Sequence, residues 1–298
     1  MPQPIPSKNI PANMQGVRLD HALALLFPEA SLRERRRAWE RYVVLVNGVS
    51  RPKGYRVQHG QELSLKPRPG QLDEAEAAAI PQGVRVVGQK TGVMAALFKP
   101  AGLHTEAIAG RPAPCVEAAI PHLWPNRYAQ LVNRLDQQTS GLVLVALSED
   151  VRAAYRQFED AAKVRKHYLA VVDGELPAPT VVRNVLDMSR RKHVKVLPDL
   201  AADPVRATHL TPLGEVGQGR TLVQATILKG ARHQIRAHCA SVGVPLWRDP
   251  RYGTWEGEEA FLLHHYMVSL PDFEAAAPPQ WPEWEEWRRF VGDGGSAE

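Results

Sequence analysis

From Val84 onward the chain returns repeatedly to short apolar, β-branched runs: Val84–Val87, Ala95–Phe98, Leu142–Leu147, Tyr168–Val172 and Thr221–Leu228. Turn-forming residues separate them, and few stretches carry helical spacing, notably those near 150–162 and 232–242. Branched and aromatic side chains pack well on a pleated surface, so these runs read as strands. The pattern predicts an α+β domain over residues 84–298, built around a central antiparallel or mixed β-sheet. Its end, from about residue 271, is acidic and tryptophan-rich. There Trp281, Trp284 and Trp287 recur at three-residue spacing among Glu283, Glu285 and Glu286, the stripe of a helix packed on its own domain.

A smaller unit precedes this domain, over residues 16–66. Ala22, Leu23, Leu25, Leu26 and Phe27 form an apolar stripe at helical spacing, which Pro28 stops. Ser31 with Glu34 makes a capping box for a second helix, which carries Arg33, Arg35, Arg36, Arg37 and Arg41. Val43–Val46 reads as a strand, Asn47-Gly48 as a hairpin turn and Glu62–Leu65 as another strand. The polar, proline-dotted residues 1–15 read as a flexible tail. The Pro- and Ala-rich stretch 67–83 reads as a linker.

Charge is unevenly spread. Residues 17–66 hold 10 basic and 5 acidic side chains, and residues 67–255 hold 24 and 17. From residue 256 onward the balance inverts to 2 and 10, so the net +5 conceals a basic body. Basic surface suits a polyphosphate partner, because neutralising phosphates releases counterions. Two cysteines, Cys115 and Cys239, cannot supply a disulfide framework and fit a reducing compartment. The first residues lack a signal-peptide core, and no apolar stretch approaches the ~20 residues that span a bilayer. The expectation is a cytoplasmic protein with no membrane partner.

One loop concentrates candidate chemistry. Leu131-Val132 leads into Asn133-Arg134-Leu135-Asp136-Gln137-Gln138-Thr139-Ser140-Gly141, and Leu142–Val145 leads out. Asp136 thus sits at a strand end, where a carboxylate can project into a cleft. Arg134, two residues earlier, shares its face in extended chain. Alone, this loop fits equally well an Asp–Arg pair steadying a hairpin.

Read with its neighbours, the loop resembles the signature of the RluA-type (RsuA/RluA) pseudouridine synthase family, His-Arg-Leu-Asp-x-x-Thr-Ser-Gly. Further blocks fall in the family's order: Lys99-Pro100-Ala101-Gly102-Leu103, Lys166-His167-Tyr168 through Gly174, Gly230-Ala231-Arg232-His233-Gln234-Ile235-Arg236, Asp249-Pro250-Arg251-Tyr252-Gly253, and Leu263-His264-His265. Residues 18–65 resemble the S-four-type (alpha-L motif) RNA-binding domain, with Arg33, Arg36 and Arg37 facing phosphates. The resemblance implies a pseudouridine synthase that isomerises uridine in structured RNA, ribosomal most of all or transfer, by base flipping. It implies a monomer with no cofactor, since the reaction gains no atom and needs no redox partner.

The resemblance also assigns roles. Asp136 is the nucleophile or proton acceptor, Arg236 its ion-pair partner, and Tyr168 the aromatic that stacks on the base. Ile235 walls the pocket, Arg134 fills the gap left by the flipped uridine, and Thr139, His233 and Gln234 complete the substrate contacts. Three positions depart from the family pattern: Asn133 for histidine, Ala231-Arg232 for Gly-Arg-Thr order, and Trp247-Arg248 before Asp249. They bear on substrate choice and rate, because flanking positions shape the pocket. A metal site is not expected, because His233 and His238 are five apart and suit one helix face poorly. The alternatives are a non-catalytic RNA-binding protein of the same fold and a two-carboxylate glycoside hydrolase, for which no second acidic residue stands out.

Overall fold

The computed structural model describes residues 7–28, 35, 39, 42–67, 80–107, 114–189, 193–201 and 203–291. The chain divides into two compact units, with the division between residues 78 and 79.

In the first unit a four-stranded sheet runs in the order β1-β4-β2-β3: β1 (Ser7–Asn9), β2 (Tyr42–Val46), β3 (Val49–Ser50) and β4 (Glu62–Pro67). Residues 7–15 are therefore not the flexible tail expected of them. Ser7–Asn9 pairs antiparallel with Glu62–Ser64, and Ile10 behind it is 1% exposed in a core with Leu19, Leu23, Val44 and Leu63. A single apolar residue among prolines leaves no periodic trace, yet its burial holds the strand. The expected first helix is short, α1 (Leu19–Ala22) followed by a 3-10 turn at Leu23–Leu25. Asn47 and Gly48 both take positive φ, 50° and 72°, as a two-residue hairpin turn with primed geometry requires. Of the expected second helix, Arg35 and Trp39 are described and helical. Ser31, Arg33, Glu34, Arg36, Arg37 and Arg41 lie outside the described residues, as do residues 68–79 of the expected linker.

The second unit is organised by a ten-stranded sheet among the described residues. Its strands, in chain order, begin with β5 (Arg85–Lys90) and β6 (Met94–Lys99). After helix α2 (Ile120–Leu123) come β7 (Gln130–Leu131) and β8 (Ser140–Ala146). Helix α3 (Glu149–Asp160) leads to β9 (Arg165–Asp173) and β10 (Thr180–Val182). A separate two-stranded hairpin, β11 (Asn184–Asp187) and β12 (Lys195–Leu200), interrupts the series. Then follow β13 (Thr208–Glu215), β14 (Arg220–Ile227), helix α4 (Gln234–Ser241), β15 (Leu263–Leu270) and β16 (Phe273–Ala276).

The main path is β10-β13-β14-β9-β15-β8-β6-β5, antiparallel throughout except where β15 runs parallel to β8. This is the mixed sheet of an α+β domain. Its central strands are apolar without alternation because both faces are covered. Met94, Phe98, Leu142 and Leu144 pack with Tyr155 of α3 on one side, while Ala95, Leu97, Val143 and Val145 pack with Val116 and Trp124 on the other. Ser148 starts α3, its Oγ accepting from Val151 N at 3.2 Å, and Glu149 and Asp150 occupy the first turn, where the helix dipole favours negative charge.

The acidic end forms a short helix, α5 (Trp284–Trp287), and a 3-10 turn at Arg288–Phe290. Trp287 is buried against Val171 and Leu222, and the Phe290 ring lies over Gly214, where a Cβ would come within 2.3 Å of Cδ1. The tryptophan stripe thus covers its own sheet.

Candidate active site

Asp136 lies in the loop between β7 and β8. Asn133 anchors that loop: its Oδ1 accepts from Leu144 N at 2.6 Å, beside the backbone bond from Val132 N to Leu144 O. Asn133 thus continues the β7–β8 pairing with its side chain. Gln137, next to Asp136, is held by the buried Lys99 at the end of β6. Lys99 Nζ donates to Pro100 O and Gln137 O, each at 2.9 Å. Burial lowers the Lys99 ammonium to about 7, against the pull of the nearby Asp136 charge. The loop closes with Thr139 N donating to Asp136 O at 3.1 Å, and Thr139 itself is buried. At Gly141 (φ 109°) a Cβ would lie 2.3 Å from His265 O, so only glycine lets β8 and β15 meet there.

Arg236, on α4, joins the loop to a second carboxylate. Its Nη1 donates to Asp136 Oδ2 at 2.9 Å, while Nε and Nη2 grip Asp249 Oδ2 and Oδ1 at 2.8 and 2.9 Å. The fork is the geometry in which guanidinium and carboxylate match best. Asp249 is fully buried and also accepts from the backbone of Arg251 and Tyr252. Burial pushes its carboxyl up, but the Arg236 bonds and these backbone donors outweigh that and hold it below its ordinary value. For Arg236, burial lowers the guanidinium and the two aspartates raise it further, with a net rise. The aromatic faces of Phe261 and Tyr252 lie 4.4 and 5.2 Å from the guanidinium carbon. Among the described residues Asp136 Oδ1 has no hydrogen-bond partner, so Oδ2 is held and Oδ1 is open.

Asp136 opens into a cavity of about 440 Å³, within the span of small-ligand pockets. Tyr168, Ile227, Ile235 and Leu263 supply apolar wall, and Arg134, Arg232 and His233 also line the space. Tyr168 comes from β9, where it is flanked by Ala225 and His265. Its ring stacks on His265 at 4.5 Å and 14°. Burial, then the charges of Asp136 and Glu159, push its hydroxyl well above the ordinary tyrosine range. The structure therefore brings Asp136, Tyr168, Arg236, Arg134, Ile235, Thr139 and His233 to one cavity.

Two expected residues differ in detail. Arg134 lines the cavity but its Nη1 pairs with Glu106 at 3.1 Å, and its side chain is 67% exposed. Gln234 also lines the cavity, but its side-chain amide is engaged within the fold. Its Nε2 donates to Arg206 O, Ala207 O and Thr208 Oγ1, and its Oε1 accepts from Ala231 N. With its amide protons so engaged and 2% exposure, it ties the start of α4 to the 206–208 segment.

The histidines grouped in the sequence serve separately. His238 bonds Thr208 Oγ1 and donates to Asn184 O, and His264 bonds Ser140 Oγ and donates to Ala277 O. Asp249, Tyr252 and Lys99 went without roles at the sequence level, although the blocks containing them stood out. Glu159, which did not stand out at all, also lines the cavity, but Lys166 and the Tyr155 hydroxyl hold it. Its signal lay only in the tertiary placement of α3 beside β9. Among the described residues no group of three His, Cys, Asp or Glu side chains could hold a metal ion.

An open carboxylate oxygen facing an apolar, aromatic wall at an arginine-lined cavity mouth suits covalent work on a flat, partly charged substrate, such as a nucleotide. Comparison with known proteins defines the class. Residues 94–241 match the family described as RNA pseudouridylate synthase. The ribosomal large subunit pseudouridine synthase D of Nitrosomonas europaea is 30% identical over 250 residues, covering 82% of this chain and 71% of that protein. Its namesake in Xanthomonas campestris pv. campestris is 31% identical over 253 residues, covering 82% and 73%. Two solved structures share the fold: human RNA pseudouridylate synthase domain containing 1 (TM-score 0.56, 19% identity, 68% of this chain and 86% of that one) and domain containing 4 (0.55, 18%, 73% and 95%). The chain belongs to the RluA-type RNA pseudouridylate synthases. It is an isomerase of uridine in RNA.

Proposed function

We propose that this enzyme isomerises one or more uridines of ribosomal RNA, with Asp136 as the reacting carboxylate. The observation that carries the reading is Asp136 itself, which lines the cavity with Oδ2 held by Arg236 and Oδ1 without a hydrogen-bond partner among the described residues. Support for ribosomal RNA comes from the relatives' names. The C1′–N1 bond of uridine breaks, the base turns, and a C1′–C5 bond forms, while the C5 proton leaves and N1 gains one. Attack by Oδ1, on sugar or base, divides this into easier steps.

Tyr168 and Ile235 would sandwich the uracil ring, and Thr139 shapes the pocket floor. Extruding the uridine costs a few kcal/mol, which Arg134 offsets by moving from Glu106 into the gap. The first unit would act as an S-four-type RNA-binding domain. Arg33, Arg36 and Arg37 belong to its proposed phosphate-binding face. No described helix is long and apolar enough to cross a membrane, and we read the protein as a cytoplasmic monomer.

Mapping pseudouridine in RNA from cells lacking the gene tests the reading. The expected result is loss of one or a few large-subunit ribosomal sites, restored by the wild type and not by Asp136→Asn. An unchanged ribosomal map, or full restoration by Asp136→Asn, overturns it.

A further inference from the structure

His233 is the residue immediately before α4, in the left-handed region at φ 53°. Asparagine, aspartate and histidine are enriched there among non-glycine residues. Its ring is gripped from one side. Nδ1 lies 3.0 Å from Tyr252 Oη, and Tyr252 Oη accepts from Val194 N at 2.9 Å. With that backbone donor in place, the Tyr252 hydroxyl proton is free to point at Nδ1. The imidazole then carries its own proton on Nε2.

That nitrogen faces Asp136 Oδ2 at 3.8 Å, the same oxygen that Arg236 holds. The separation is too long for a hydrogen bond. In active sites without substrate such contacts are often loose and tighten in the complex. Burial, the largest influence, keeps the ring neutral by lowering it to about 4. Asp136 opposes this, while Arg236, Arg251 and Arg232 add to it. A neutral imidazole has one donor to offer, and the Tyr252 contact determines which nitrogen bears it.

Tyr252 is itself steadied by the segment that leads into β12 of the β11–β12 hairpin. His193 stacks on its ring at 4.8 Å and 28°, beside the Val194 bond. The backbone of Tyr252 also donates to Asp249 Oδ1, so the clamp on Arg236 and the clamp on His233 share one turn.

We propose that His233 is a positioning residue: oriented by Tyr252 and the β11–β12 hairpin, it presents Nε2–H to Asp136 Oδ2 and so leaves Oδ1 as the reacting oxygen. This rests on the reading of Asp136 as the reacting carboxylate. With Arg236 and His233 both on Oδ2, the carboxylate cannot rotate its held oxygen into the cavity. The contact closes by under 1 Å when the base fills the space, and its worth is that of a hydrogen bond to a charged acceptor, about ten- to a hundredfold in rate.

The tautomer can be read directly on the wild-type protein. Nitrogen-15 shifts of His233 at neutral pH should show Nε2 protonated and Nδ1 bare; the opposite tautomer overturns the proposal. Kinetics on ribosomal RNA provide the second test. His233→Asn tolerates the left-handed backbone but ends where Nδ1 stood, so kcat should fall about ten- to a hundredfold with KM nearly unchanged. His233→Gln, long enough to set an amide N–H near the Nε2 position, should recover part of that loss.

Tyr252→Phe should lower kcat less than His233→Asn does. The double variant should be no slower than His233→Asn alone, because Tyr252 acts through the ring. A rise in KM at constant kcat, or additive losses, would make His233 a plain RNA contact and overturn the proposal. Asp136→Asn serves as the control. If it stays active the nucleophile reading fails, whereas a dead Asp136→Asn with an unaffected His233→Asn sinks the positioning role alone.

Discussion

Asp249→Asn removes one charge and almost no volume from the most buried ion pair of the site. Asp249 is 0% exposed and the Arg236 side chain 7%. Its Oδ1 accepts from Arg236 Nη2 and from the backbone of Arg251 and Tyr252, while among the described residues Oδ2 accepts only from Arg236 Nε. An asparagine can keep its carbonyl oxygen at the three-donor position. Its amide nitrogen must then face the Nε–H of Arg236, donor against donor. Breaking a buried pair costs about 3–5 kcal/mol, chiefly by stranding the remaining charge.

Three of the four hydrogen bonds survive and Asp136 still faces Arg236, which puts Asp249→Asn near the lower limit, about 3 kcal/mol. Asp249→Ala belongs near the upper one. Urea unfolding followed by tryptophan fluorescence measures this well, because six of the seven tryptophans lie in the second unit. The folded carboxyl sits below its free value of 3.8, so the pair's stabilisation is complete above that pH. It is lost as pH falls further through the folded value. The gap between wild type and variant should therefore be full at pH 7 and narrow below about pH 4. A difference under about 1 kcal/mol at pH 7 would refute the view that this fork holds the catalytic arginine.

Lys99 carries the opposite sign of pH dependence. Its folded value of about 7 lies below the ordinary 10.5, so the unfolded chain binds the extra proton between those limits. Wild type should gain thermal stability over Lys99→Met as pH rises from 7 to 10, and a constant difference in Tm across that range would contradict the burial argument. Removing residues 1–66 should weaken RNA binding and flatten its dependence on salt, since that stretch holds eleven basic side chains. An unchanged slope in binding titrations from low to high salt would show that the first unit does not contact phosphate.

How much of this was legible beforehand depends on the range of the interaction. The strands around Ala95–Phe98, Leu142–Leu147, Tyr168–Val172 and Thr221–Leu228 are found within three residues of their expected places, because β-branched runs bounded by turns are local signals. So is the polar loop bearing Asp136. The first helix was overextended: its apolar stripe continues to Phe27, but α1 ends at Ala22 and gives way to a 3-10 turn. The strand at Ser7–Asn9 left no pattern at all, since its pairing partner is more than fifty residues away.

Local composition specified the central strands of the large sheet, the basic body behind an acidic end, and which residue types could react. Which of them meet depends on long-range packing. Asp136 and Arg236 are 100 residues apart. They come together through the order in which strands lie side by side, with β15 inserted between β8 and β9 and the Gly141 backbone against His265. That register depends on packing across the whole sheet, which no local window contains. The same holds for Asp249 beneath Arg236, Glu159 at the cavity wall and Tyr252 behind His233. The succession of apolar, β-branched runs prescribes a sheet, and the long-range pairing within it makes the site.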